Sequence, residues 1–159
     1  MMQSKRFRAL AMVGALTMAV CTGTTAMAEE AAPMGNSPEI QKIFQMSEGM
    51  DVPSVSFKFT LEKVTADAPT AQVSPINYNS NTDKGNLTNG VYLMRKNQQI
   101  NFGEFPHAGK YTYKVTEVNE SVTNTNITYD QNTYYMDVYV ENTEDGLQIA
   151  NTVARDGEN

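Results

Sequence analysis

Gly109-Lys-Tyr111-Thr-Tyr113-Lys-Val115-Thr-Glu117 alternates large, mostly apolar residues with Lys and Thr along its whole length. In an extended chain successive side chains leave opposite faces of the sheet, so Tyr111, Tyr113, Val115 and Glu117 share one face and Thr112, Lys114 and Thr116 the other. A helix would scatter the same residues around its axis. The stretch therefore predicts a strand with one buried face.

The same period recurs on both sides. Ile40, Lys42, Phe44 and Met46 share a face of a first strand, with Gln41, Ile43 and Gln45 behind them, and Val55, Phe57, Phe59 and Leu61 line a second. Residues 67–90 are largely polar and read as a long loop region holding one short strand near 76–78. Short strands are expected at 91–94 and 99–105, then a Pro106-His107-Ala108-Gly109 turn. Further strands are expected at 127–130 and 134–140, and an edge strand at 147–153. Clusters of Asn, Gly, Asp and Pro separate these runs, and neither a helical stripe of useful length nor an internal repeat is present. This pattern predicts an all-β fold, an antiparallel, immunoglobulin-like β-sandwich.

The N-terminus reads differently. Lys5, Arg6 and Arg8 precede an uncharged apolar run at 9–20, too short for a comfortable membrane span, and Ala26-Met27-Ala28 supplies the small-x-small pattern that a signal peptidase accepts. Residues 1–28 are therefore expected to be a signal peptide, 29–38 (EEAAPMGNSP) a flexible leader, and 39–159 one domain. Cys21 raises a lipoprotein alternative, which the bulky Val20 before it disfavours. The single cysteine falls in the expected signal, so an exported domain would have no disulfide to stabilise it.

Of the 12 Lys and Arg residues, three go with that signal, leaving nine against 18 Asp and Glu. Such an acidic balance argues against nucleic acid and against docking on an anionic membrane, and it suits a secreted protein of the cell surface or cell wall. His107 is the only histidine and sits in a turn, where solvation is its ordinary fate. The acids Asp130, Asp137, Glu141, Glu144 and Asp145 lack calcium-loop spacing. With no hydrolase triad, phosphate loop or zinc motif, the expectation is a non-enzymatic protein without cofactor or metal. Tyr134, Tyr135 and Tyr139 read either as a sugar-binding platform or as packing residues of a strand.

Two residues break the alternation. Lys42 lies at the i, i+2 spacing of Ile40 and Phe44, and Glu117 continues the face of Tyr111, Tyr113 and Val115, so strand geometry aims both charges at the core. An isolated buried charge costs several kcal/mol and is ordinarily relieved by pairing or by a shifted pKa. Two readings remain open on periodicity alone: strand-end side chains whose heads reach water, or a buried salt bridge.

The segments that hold these residues resemble the isopeptide-linkage domains of Gram-positive, streptococcal-type pilins. Phe102-Gly-Glu-Phe105-Pro-His-Ala-Gly109-Lys-Tyr111-Thr-Tyr113-Lys-Val115-Thr-Glu117 is similar to the family's central motif. Ile127-Thr-Tyr129-Asp130 and Tyr134-Tyr-Met136-Asp-Val138-Tyr-Val140 are similar to the strand pair that follows it, and the first strand with Lys42 fits the family's start. The resemblance implies a structural pilus or surface-fibre subunit with an internal amide bond between a first-strand lysine and a last-strand asparagine. It implies Lys42 as the amine donor and Glu117 as the proton-shuttling acid. The family's "I-x-F-x-N" final strand is not found before Asn159, so the domain is expected to be incomplete at its C-terminus. The acceptor asparagine is not identified; Asn151, the only later asparagine preceded by alternating apolar residues, is a candidate for it. Implied partners are neighbouring pilin subunits or the cell wall through a sortase. The alternative function is a carbohydrate- or host-protein-binding adhesin domain that contacts a host ligand without a working cross-link.

Overall fold

The computed structural model describes residues 37–119 and 127–157. The expected signal peptide and all but the last two residues of the expected leader lie outside the described residues.

The described chain forms β1 (Glu39–Ser47), β2 (Val55–Phe57), β3 (Phe59–Lys63), β4 (Ala71–Val73), β5 (Ile76–Tyr78), β6 (Leu87–Thr88), β7 (Val91–Phe102), β8 (Gly109–Glu117), β9 (Thr133–Thr143) and β10 (Gly146–Asp156). One sheet runs β1-β7-β4, with β6 also paired to β7. A second runs β10-β9-β8-β3, and β2 pairs with β5 as a short ribbon. Every pairing is antiparallel. The two main sheets face each other across the core, where the Phe102 ring of β7 meets Tyr113 of β8 at 5.4 Å between centroids.

The alternation in β1 holds without exception from Ile40 to Met46, with Ile40, Lys42, Phe44 and Met46 buried and the residues between them half-buried. In β8 it holds for Tyr111, Tyr113, Val115 and Glu117, all buried. Asn89 and Gly90 both have positive φ, 51° and 74°, which gives the tight β6–β7 turn the twist that joins antiparallel strands.

Four expectations from the sequence change. The run at 55–61 breaks at Lys58: β2 pairs with β5, whereas β3 pairs with β8 in the second sheet. Phe57 is fully buried, and Phe59 and Leu61 are only half-buried. Residues 91–94 and 99–105 belong to one strand, β7, which ends at Phe102, because the ladder to β1 runs unbroken through the polar Arg95-Lys96-Asn97-Gln98. The edge strand expected at 147–153 is longer, the 11-residue β10, paired along β9 with a bulge between Ile149 and Asn151. Residues 127–130 form no strand, because the chain curls where the Asp130 carboxylate accepts the Asn132 N–H at 2.9 Å.

On the outer face of the second sheet, Asp137 is buried under long side chains. Its carboxylate accepts the Thr112 hydroxyl at 2.7 Å and faces Lys110 Nζ at 3.0 Å and Arg155 Nε at 3.2 Å. Burial alone would raise this carboxyl's pKa, but the hydrogen bonds from Thr112, Arg155 and Lys110 outweigh it, and the net direction is downward. A depressed carboxyl stabilises the fold above its unfolded value near 3.8, and this contribution disappears as pH falls through the folded value. Asp137→Ala is expected to cost about 1–3 kcal/mol at neutral pH, because it leaves the buried Thr112 hydroxyl without its acceptor and removes the countercharge of Lys110 and Arg155. Urea denaturation at pH 7 and pH 3 checks this, since the gap between wild type and variant must narrow at the lower pH.

Candidate functional site

The site forms where the two sheets meet face to face. β1 aims Lys42 inward between Ile40 and Phe44, and the last residue of β8 aims Glu117 back at it. Lys42 Nζ lies 2.5 Å from Glu117 Oε1, and the two side chains are 1% and 0% exposed. That exposure removes the strand-end reading, in which the charged heads reach water. Lys42 Nζ also stands 4.1 Å from the centroid of the Phe57 ring. Phe57 is itself enclosed by Phe44, Tyr78 and Tyr129, with centroid separations of 5.4, 5.9 and 5.7 Å.

The pair is tied on both sides. The Tyr78 hydroxyl donates to the Lys42 carbonyl at 2.8 Å and approaches the Met94 carbonyl at 3.2 Å, which anchors β1 to β7 beside the lysine. Burial drives the Tyr78 phenol far above its ordinary pKa, so it remains a donor. Glu117 Oε2 accepts the backbone N–H of Asp130 at 2.7 Å. Lys96 pairs directly with Lys42 across the β1–β7 ladder, yet its ammonium turns to Asp83 at 2.8 Å and the Asn77 carbonyl at 2.7 Å.

Electrostatics brings the two protonation equilibria towards each other. Loss of hydration lowers the Lys42 pKa, against the opposing pull of Glu117 and the smaller one of Asp130. Loss of hydration raises the Glu117 pKa, against the opposing effects of Lys42 and the Asp130 N–H. A proton that moves from Nζ to Oε1 discharges both groups at once and removes two buried charges from a dry setting. The product is a neutral amine, the nucleophilic form, beside a carboxylic acid that can return the proton.

Asn151 is not brought to this pair. It faces Tyr139 across the β9–β10 ladder, and Tyr139 is exposed on the outer face while its neighbours Val138 and Val140 are buried. Asn151 is exposed too, and its side-chain oxygen accepts the Thr152 N–H at 2.8 Å. The three tyrosines do not form one platform: Tyr134 is buried, Tyr135 stacks under the Arg155 guanidinium, and only Tyr139 is substantially exposed. His107 bridges to Asp67 at 2.8 Å in a solvated turn, away from the buried pair.

The reading of the alternation missed Asp130 as part of the site. Its position in the motif was evident, but a strand at 127–130 would give it no special role, and only the curled backbone turns its N–H onto Glu117.

The fold is an all-β sandwich that encloses an amine–carboxyl pair between its sheets. The family model described as the Spy0128-like isopeptide-containing domain, FctA, matches residues 38–159, and the chain belongs to that family. It is thus a pilin-type surface domain of the Gram-positive kind, from a family of structural proteins that carry isopeptide bonds. No curated protein matches the chain.

Proposed function

We propose that Lys42 and Glu117 are the reactive pair of a pilus or surface-fibre subunit, and that Lys42 becomes joined through an amide bond to an asparagine side chain. The observation that carries this reading is the 2.5 Å contact between two fully enclosed, oppositely charged groups walled by aromatic rings. Lys42 passes a proton to Glu117, and the neutral amine attacks the carboxamide carbon. The bond to the carboxamide nitrogen breaks, and that nitrogen leaves as ammonia with protons relayed by Glu117. One C–N bond forms and one breaks, so no oxidant or cofactor is needed. It is a single-turnover reaction of the protein on itself, not enzymatic turnover.

The acceptor asparagine is delivered on an extended strand alongside β1. One observation supports this: among the described strands β1 is paired on one side only, and an open edge of nine residues is a template for a further strand. In service the subunit is exported by a signal at residues 1–28 and joined to neighbouring pilin subunits or to the cell wall by a sortase. The covalent link then resists pulling forces that would unzip a ladder of hydrogen bonds.

The test is mass spectrometry of peptides from the digested protein recovered from its native surface. A peptide holding Lys42 joined to an asparagine-containing peptide, at the summed mass less one ammonia and absent in Lys42→Ala, is the expected result. An unmodified Lys42 peptide in the wild type would reduce the pair to a buried salt bridge.

A further inference from the structure

We infer that Asp130 is a positioning residue of the amide-forming site: its carboxylate fixes the turn that presents its own backbone N–H to Glu117 Oε2, leaving Oε1 for the amine. The inference rests on the proposed reading of Lys42 and Glu117 and adds to it the device that orients the acid.

Asp130 is buried, 7% exposed, in a segment without strand pairing. Its carboxylate is fully engaged locally. Oδ1 accepts the Asn132 N–H at 2.9 Å, closing a turn of the Asx type, and Oδ2 accepts the Tyr134 hydroxyl at 2.7 Å. Asn132 Nδ2 donates to the same Tyr134 hydroxyl at 3.3 Å, so the residue after the turn and the first inward residue of β9 brace one another. The consequence for the site is a single bond, from the Asp130 N–H to Glu117 Oε2 at 2.7 Å.

A carboxyl group turns about its last carbon–carbon bond, and a proton shuttle works only while one oxygen stays within hydrogen-bond reach of the amine. Glu117 is the last residue of β8, paired with Phe59 of β3 but beyond the last β8–β9 register pair, Thr116–Thr133. Ladder pairing fixes its backbone and not its carboxyl, whose second contact comes from the turn that leads into β9. Lys42 holds one oxygen and the Asp130 N–H the other, so the carboxyl is clamped with its reactive oxygen towards the amine. Among the described residues, the charged groups that act on it are Lys42 from β1 and Asp130 from the turn.

Two roles of Asp130 can be separated by substitution. Asp130→Asn keeps a side-chain acceptor for the Asn132 N–H and keeps the backbone donor, but removes a negative charge. Asp130→Ala removes the same charge and also the turn. The experiment follows the Glu117 carboxyl carbon and the Asp130 amide proton by NMR through a pH titration, with intact mass recorded on each sample. In the wild type the amide proton is expected to shift with the same midpoint as the Glu117 carboxyl, because an N–H bonded to a carboxylate senses its ionisation. Between the two variants, the Glu117 midpoint is expected to be about one pH unit higher in Asp130→Ala than in Asp130→Asn, since a lost hydrogen bond to the carboxylate favours the protonated acid. Equal midpoints in the two folded variants would overturn the inference, as would a wild-type amide proton that ignores the Glu117 titration. The wild-type measurement needs no variant to fold. A full mass alongside the expected couplings would reject the cross-link while leaving the clamp intact, so the two failures are told apart.

Discussion

Glu117→Ala is expected to cost about 3–5 kcal/mol of stability at neutral pH, the range for leaving one member of a buried ion pair without its partner. Lys42 is 1% exposed and has no route to water, and the substitution also leaves the Asp130 N–H unpaired. The sign of the pH dependence follows from the direction of the lysine shift. A lysine with a depressed folded pKa binds fewer protons folded than unfolded, so its penalty is fully present below the folded value. The penalty shrinks as pH rises through that value towards the ordinary 10.5. Glu117→Ala, in which the lysine has lost its countercharge, should therefore regain stability between neutral and alkaline pH more steeply than the wild type. The double substitution Lys42→Met with Glu117→Leu removes both charges and is expected to recover most of the loss. Urea denaturation across pH 6–10 measures all three. A single-variant cost below about 1 kcal/mol would mean that the lysine finds solvent or another partner, and the argument for a dry reactive pair would fall with it.

The pair was legible in the sequence because period two is a strict rule. Once Tyr111, Tyr113 and Val115 are known to face inward, Glu117 has no other face to occupy, and Ile40 and Phe44 place the same demand on Lys42. Alternation does not fix which strand lies opposite which. That Lys42 of β1 meets Glu117 of β8, 75 positions away, is a property of how the sheets stack, and it was supplied beforehand by resemblance and not by pattern. Elements failed where a local pattern competed with a long-range one. Residues 55–61 keep a single alternation across Lys58, yet the chain changes sheets there, because β2 finds its partner in β5 and β3 in β8. The polar residues of β7 suggested a gap, yet a ladder joins backbones and tolerates polar side chains along it. Asn151 followed an apolar alternation, but the bulge after Ile149 changes which residues of β10 face inward, and Thr152 takes the buried position opposite Val138.

Phe57→Ala is expected to be as costly as the loss of the acid, about 3–5 kcal/mol, and to act on the chemistry as well. The ring is completely buried and touches Phe44, Tyr78 and Tyr129, so its removal deletes the centre of an aromatic cluster drawn from β1, β2, β5 and the 127–130 segment. Those neighbours are held by separate segments of the chain and cannot collapse fully into the space. The cavity opens directly against the Lys42 ammonium, whose centroid distance to the ring is 4.1 Å. A cavity with a charged group and a carboxyl on its wall admits water, unlike one lined only by hydrocarbon. Hydration restores what burial had taken from the charged amine, so the Lys42 pKa should rise towards its ordinary value and the neutral, nucleophilic fraction should fall. Phe57→Leu refills most of the volume with hydrocarbon and should keep the lysine shifted, at a smaller stability cost. Denaturation gives the stability of each variant, and titration of the Lys42 side chain by NMR, in protein whose intact mass shows no loss of ammonia, gives the amine. If Phe57→Ala lost its stability while the lysine remained as depressed as before, the dryness of the site would have to come from the sheets themselves. The aromatic wall would then be packing alone, with no part in making the amine reactive.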